Sequence, residues 1–261
     1  MKIKVLHLNI ERDKHLDSVV NFVELHKPDI MCFCEIREKD AVDFSQRFNC
    51  KYVYSPLFNT KDGTHGQAIF YRVPILDSLI SSYGSDLKEE LPFIVVDAPT
   101  PNNNRPVDRF HWNYTLLTIT IQNSNGDKII IGTTHFPVAD HSTPGYEDHS
   151  FDEITDVIDI DYVRECFDRF MSVIRKLPYP LIFTADMNNP RGEYIYDTLA
   201  HNLLDLTPID IESTLDQNLH RRKDLHLVVD TIMTSPGIET ARVKIFDGVS
   251  DHKALIADVE I

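Results

Sequence analysis

The chain has 261 residues, 42% hydrophobic and 26% charged, enough for a globular protein with a sizeable core. Its 41 acidic against 26 basic residues give a formal charge of −15, which disfavours general duplex nucleic-acid binding and suits a site that collects divalent cations. No run approaches the roughly 20 apolar residues of a membrane helix. The length and composition lead to the expectation of one domain over residues 1–261, and the cysteines to that of a cytoplasmic setting.

The first residues, "MKIKVLHLNI", alternate as a strand does, over 2–10, and lack the apolar run and cleavage site of a secretion signal. A helix is predicted over 13–26, capped by Asp13, with Leu16, Val19, Val20, Val23 and Leu25 on its apolar face and Pro28 beyond its end. "PDIMCFCEI" reads as a buried strand over 29–35, with Cys32 and Cys34 on one face as core thiols rather than a disulfide or zinc pair, which fits a reducing compartment. A helix follows over 38–48, then strands over 67–72, 93–97, 114–122 and 128–135. Helices over 160–176 and 192–201 bracket a strand over 180–186, and strands over 226–233, 240–246 and 254–261 complete the chain. Strands that follow one another with few helices between them predict two packed sheets with helices outside, rather than one parallel sheet with regular crossovers. The stretch 137–165 breaks this rhythm: Asp140 to Glu165 holds nine acids and one Arg, and reads as an acidic insertion that is either a solvated loop or a substrate lid.

Polar residues collect where apolar strands end. "VLHLNI" delivers Asn9, "CFCEI" Glu35, "TTHF" His135, "TADMNNP" Asp186 and Asn188, "VVDTIM" Asp230, and "SDH" Asp251 and His252. Any one of these is explained as a turn cap. Eight together, all of types that bind metal or move protons, are not. Glu35 is a hard oxygen ligand for Mg²⁺ or Mn²⁺. Asp186 and Asn188, at i and i+2, share a face and can orient a water and donate to a developing oxyanion. His135 and His252 supply a cation or a proton. Neighbours on a strand point to opposite faces, so Asp230, not Asp251, is expected to hold the His252 imidazole, leaving Asp251 for the metal or its waters.

These motifs, in this order and spacing from Asn9 to His252, resemble the endonuclease/exonuclease/phosphatase superfamily, the deoxyribonuclease I-like phosphohydrolases. The resemblance implies an α/β four-layer sandwich of two packed, mostly antiparallel β-sheets flanked by helices. It also implies Mg²⁺- or Mn²⁺-dependent in-line attack of water on a phosphoester. Glu35 would bind the metal with Asn9 and Asp251 close by. Asp186 would orient or deprotonate the water, Asn188 would hold water and phosphate, and His135 and His252 would contact the phosphate, with His252 polarised by Asp230. The superfamily often carries Arg where Val228 stands and Gly where Ala185 stands, and a further polar site residue on the strand matched by "HGQAIFYR", where His65, Gln67 and Tyr71 are the candidates.

Fold does not choose among the superfamily's substrates. Two segments bear on the choice. "NLHRRKDLH" brings His220, Arg221, Arg222 and Lys223 just ahead of Asp230, and "NNNRPVDRFHW" brings Arg105, Arg109, His111 and Trp112. These cations are candidate phosphate contacts, and Trp112 a stacking surface. The expected partner is a phosphoester, either a single-stranded nucleic acid or a nucleotide-like small molecule, with a phosphomonoester or a non-catalytic binding role as the alternatives. A zinc hydrolase fits poorly, since the expected ligands are carboxylate and amide oxygens.

Overall fold

A computed structural model describes residues 1–60, 63–84, 95–96, 113–138, 160–240 and 243–260. The strands among them are β1 Lys2–Asn9, β2 Ile30–Arg37, β3 Lys51–Thr60, β4 Gly63–Tyr71, β5 Ile75–Ser82, β6 Val95–Val96, β7 Thr115–Gln122, β8 Lys128–His135, β9 Leu181–Asp186, β10 Leu204–Asp205, β11 Asp230–Thr234, β12 Glu239–Thr240, β13 Lys244–Phe246 and β14 Ala254–Glu260. The helices are α1 Leu16–His26, α2 Glu38–Arg47, α3 Ile160–Ile174 and α4 Tyr194–Asn202. One sheet runs β12-β14-β1-β2-β4-β3-β6, with β13 also on β14; the other runs β10-β11-β9-β8-β7-β5. Among the described strands, only β1–β2, β3–β6 and β8–β9 pair in parallel.

Alternation along each strand builds the layers. On β1, Leu6 and Leu8, with Ile10 just beyond it, join Val19, Val20, Val23 and Phe44 from α1 and α2, while Ile3 and Val5 turn to the second sheet. On β9, Phe183 and Ala185 face α3 and α4, while Ile182 meets Ile30, Cys32 and Ile69 in the inter-sheet core. The order is therefore helices, sheet, sheet, helices. Fully burying each such aliphatic side chain contributes about 1.5–3 kcal/mol. Cys32 and Cys34 are buried and, like Cys50 and Cys166, free thiols.

Several expectations are corrected. Strands β3 and β5 are missing from the sequence reading. In "KYVYSPLFNT", Pro56 argues against a strand, yet β3 carries it at a register shift between Pro56 and Phe58, where a missing N–H is tolerated. The sequence "ILDSLISS" is half polar because β5 is an edge strand with Leu76, Leu79 and Ile80 exposed. The strand expected over 226–233 begins only at Asp230, since residues 227 and 229 bond instead to the Thr214 backbone and side chain. Asp13 does not cap α1: the cap position is His15, without a side-chain bond, and Asp13 pairs with Arg37. Leu25 is 76% exposed, and Phe22 takes the buried position instead. Most of the acidic insertion, 139–159, lies outside the described residues, as do Arg105, Arg109, His111 and Trp112.

Candidate active site

The parity that sends Ile3 and Val5 to the inter-sheet core sends His7 and Asn9 the same way, towards the end of the layer. Opposite them, Ile131 is in phase with His135 on β8, Ile182 with Asp186 on β9, and Ile232 with Asp230 on β11. His135 is in register with Asp186 across β8–β9, and Asp186 with Asp230 across β9–β11. Apolar layers thus end at one edge in a wall of polar groups, each positioned by its strand.

Glu35 escapes strict alternation. The β2–β4 ladder shifts register between Phe33 and Ile36, and Glu35 has φ +56°, a conformation unusual for a residue with a Cβ. The bulge re-aims the carboxylate towards Asn9, whose Nδ2 donates to Glu35 Oε1 at 3.1 Å and to Asp186 Oδ2 at 2.9 Å. Asn9 Oδ1 accepts from the Glu11 backbone N–H at 3.0 Å, so this amide ties Glu35 to Asp186. Across the ladder, a Cβ at Gly66 would lie 2.1 Å from the Ser55 carbonyl oxygen, so only glycine fits there.

Asp186 Oδ1 accepts from the Asn188 backbone N–H at 3.0 Å. The chain turns at this bond and Asn188 has φ +51°, so an Asx turn, not the expected strand alternation, brings the two side chains together. Asn188 Nδ2 donates to the Phe136 carbonyl at 2.9 Å and sits 2.9 Å from His135 Nε2. His135 Nε2 is 3.6 Å from Asp186 Oδ2 and 3.8 Å from Glu35 Oε1. Its backbone N–H donates to Gln67 Oε1 at 2.8 Å, while Gln67 Nε2 donates to the Thr115 carbonyl at 2.7 Å. Gln67 is therefore the residue of "HGQAIFYR" that braces the site.

His252 Nδ1 donates to Asp230 Oδ2 at 2.8 Å, as expected, and its Nε2 is 3.8 Å from Asp186 Oδ2. Burial opposes the imidazolium, but Asp230 and Asp186 outweigh it and hold His252 protonated well above the usual histidine range. Burial likewise opposes ionisation of Asp230, yet His252 and His7 keep its carboxyl far below the usual range. Glu35, 29% exposed at the side chain, is also held low: burial acts against this, and His135 and the Asn9 amide prevail. Asp251 behaves oppositely. Burial, with Glu35 and Glu11 nearby, pushes its carboxyl up to about 6 against the pull of His252. Glu11, His15 and Asp251 bring ligand atoms within 4.8 Å of one another. Asp186, Asp230 and His252 meet the same spacing, but His252 and Asp230 are already joined.

Of the expected substrate cations, His220 lies beside the site, its ring edge-on to His252 at 6.4 Å. Burial and His252 hold it below the usual histidine range, against a backbone bond at Arg222. The Arg222 guanidinium is engaged in a two-point pair with Asp224, at 3.0 and 2.9 Å, and Arg221 is exposed on the same loop. Buried Asp216 fixes that loop: its carboxylate accepts from the Asn218, Leu219 and Gly248 backbone N–H groups, and its own N–H donates to the Asp251 carbonyl at 2.8 Å. The sequence reading missed His7, Glu11, His15, Thr214 and Asp216. Only His7 had a signal, its shared parity with Asn9.

Residues 6–252 match the Endonuclease/Exonuclease/phosphatase family. No curated protein sequence matches significantly. Among solved structures, an endonuclease/exonuclease/phosphatase from Bacteroides vulgatus superposes with a TM-score of 0.70 at 15% identity, over 100% of this chain and 99% of that one. A mannosyl-6-phosphatase from Bacteroides thetaiotaomicron gives 0.63 at 16%, over 99% and 100%. TDP2 from D. rerio, complexed with a single-strand DNA product, gives 0.67 at 14%, over 100% and 99%. At these identities the structures share the fold, and it is the match from β1 to His252 that shows the chain to belong to the endonuclease/exonuclease/phosphatase family.

Proposed function

We propose that this protein is a Mg²⁺- or Mn²⁺-dependent phosphoester hydrolase that directs an activated water in line at phosphorus. The observation that carries the reading is one connected set of acid, base and amide groups at a single sheet edge: Glu35, Asn9, Asp186, Asn188, His135, His252 and Asp230. The donor set fits a hard divalent ion. Glu35 and Asp251 supply carboxylates, and the pressure that keeps Asp251 protonated up to about 6 is what a cation beside it would relieve. Such an ion supplies charge neutralisation for the phosphate oxygens.

Glu35 and Asp251 would hold the metal, and Asn9 sets the spacing between Glu35 and Asp186. Asp186 orients the attacking water and accepts its proton, since its buried carboxylate is aimed by Asn9 and the Asn188 N–H. Protonated His252 presents Nε2 to a phosphoryl oxygen or to the departing oxygen, with Asp230 securing Nδ1. His135 and Asn188 line the opposite side of the phosphate.

The substrate is a small or single-stranded phosphoester. The charge of −15 opposes a long duplex track, and the fold neighbours include a mannosyl-6-phosphatase and a protein complexed with a single-strand DNA product. A phosphomonoester is the second reading, favoured by the mannosyl-6-phosphatase neighbour. Four free thiols fit a reducing cytoplasm, and no helix among the described residues is long and apolar enough to cross a membrane. The test is hydrolysis of aryl phosphodiesters and phosphomonoesters with EDTA, Mg²⁺ or Mn²⁺, beside His252→Ala. Turnover that needs metal and falls by orders of magnitude in the variant supports the reading; turnover unchanged by EDTA or by the substitution overturns it.

A further inference from the structure

His7 lies fully inside the inter-sheet layer, two residues before Asn9, and takes no part in the chemistry above. Its Nε2 is 3.1 Å from Asp230 Oδ1, and neither side chain has any exposed surface. An ionised carboxylate can only accept, so His7 Nε2 carries the proton of this bond. The two oxygens of Asp230 are thus divided: Oδ1 to His7, Oδ2 to His252 at 2.8 Å. His7 Nδ1 has no hydrogen-bond partner among the described residues. An apolar side chain would avoid that cost at a site whose same-face neighbour, Val5, is buried in an apolar layer.

We infer that His7 is a positioning residue for His252, acting through Asp230, an inference that rests on the phosphohydrolase reading. The carboxylate of an aspartate rotates in a broad well about its Cβ–Cγ bond. With one donor, Asp230 can turn and swing Oδ2 away from the His252 ring. With a donor on each oxygen, at 3.1 and 2.8 Å, the carboxylate plane is fixed. His252 Nε2 is then held facing Asp186, 3.8 Å away, where the phosphate is to react. The chain Asp230 belongs to the second sheet and His7 to the first, so the bond also locks the two sheets in register beneath the site. Misplacement of a reacting group by about 1 Å can cost on the order of 100-fold in rate.

The experiment pairs His7→Phe, which removes the donor, with His7→Gln, whose amide can donate to the same oxygen. It adds Asp230→Asn alone and combined with His7→Phe. Kinetics with saturating metal are expected to show kcat falling roughly 10- to 100-fold in His7→Phe with KM within about 2-fold, and partial rescue in His7→Gln. In the Asp230→Asn background, His7→Phe should add almost nothing, because the carboxylate it positions is gone. Wild-type kcat in both single variants, or an undiminished His7 effect without Asp230, overturns the inference. Proton NMR separates this from a failure of the hydrolase reading. Ring N–H resonances of His7 and His252 downfield of the amide envelope are expected in the wild type, and the His252 signal should shift in His7→Phe, and less in His7→Gln, even if no ester is turned over. A His252 resonance unmoved by His7→Phe also overturns it. If His7→Phe does not fold, His7→Leu, which equally removes the donor, carries both readouts.

Discussion

Replacing Asp230 with Asn keeps the shape of the side chain and removes the charge that holds the His252 proton. Asp230 is wholly buried and His252 is 8% exposed, so bulk water screens their interaction little. Breaking such a pair by removing one partner costs roughly 3–5 kcal/mol, against a total stability of about 5–15 kcal/mol for a domain. The two shifts define the pH window. His252 is raised, so its contribution is complete below its unfolded value near ~6.5 and is lost only as pH rises through the folded value. Asp230 is lowered, so its contribution is present above about 4 and is lost as pH falls below that. The difference in denaturant stability between wild type and Asp230→Asn should therefore be greatest near neutral pH and shrink below about pH 4. In the variant, burial acts on His252 against only Asp186 and Asp251, and the ring gives up its proton at lower pH than in the wild type. At neutral pH and saturating metal, kcat should fall by about 10²- to 10⁴-fold. It should partly recover as pH falls from about 8 to 6, a range over which the wild type is level in this respect. Stopped assays of kcat against pH on an aryl phosphoester, beside urea denaturation, measure both effects. A variant with the wild-type pH profile and undiminished kcat would refute the pairing as the source of the His252 charge.

Asp251→Asn should stabilise the metal-free protein at pH 7, by at most about 3 kcal/mol, because a carboxyl raised to about 6 binds protons more readily folded than unfolded. By the same sign, metal-free stability should fall as pH rises from about 4 to 6, and Mg²⁺ should reverse that loss in thermal melts of the wild type but much less in the variant. Glu35→Gln should weaken Mg²⁺ binding measured by calorimetry while leaving the fold intact by circular dichroism. Gln67→Leu removes the acceptor of the His135 N–H and a donor to Thr115, and should cost roughly 1–3 kcal/mol in urea denaturation together with a lowered kcat. Gly66→Ala should destabilise the protein by several kcal/mol, since its Cβ meets a backbone oxygen with nowhere to move, and should open the β3–β4 pairing read by hydrogen exchange at Ser55 and Pro56's neighbours.

The sequence by itself determined the two-sheet architecture and the gathering of its strand-end polar residues at one edge. Period-two runs such as "KIKVLHLN" fix which side chains face the other sheet, because a strand has only two faces, and polar residues at the ends of those runs can only gather at the layer's edge. The Asp230–His252 pairing was legible for the same reason, as adjacent Asp251 must point elsewhere. Strands β3 and β5 were not legible, because a bulged proline and an exposed edge suppress the pattern that marks a buried strand. The Asp13 cap failed because a long-range partner, Arg37, took the carboxylate. The aim of Glu35, the turn that swings Asn188 onto His135, the Gln67 brace, the Asp216 anchor and the His7 contact were decided only by tertiary structure. Each depends on groups distant along the chain meeting at a few ångströms, and on left-handed backbone at Glu35 and Asn188 that only surrounding packing can hold.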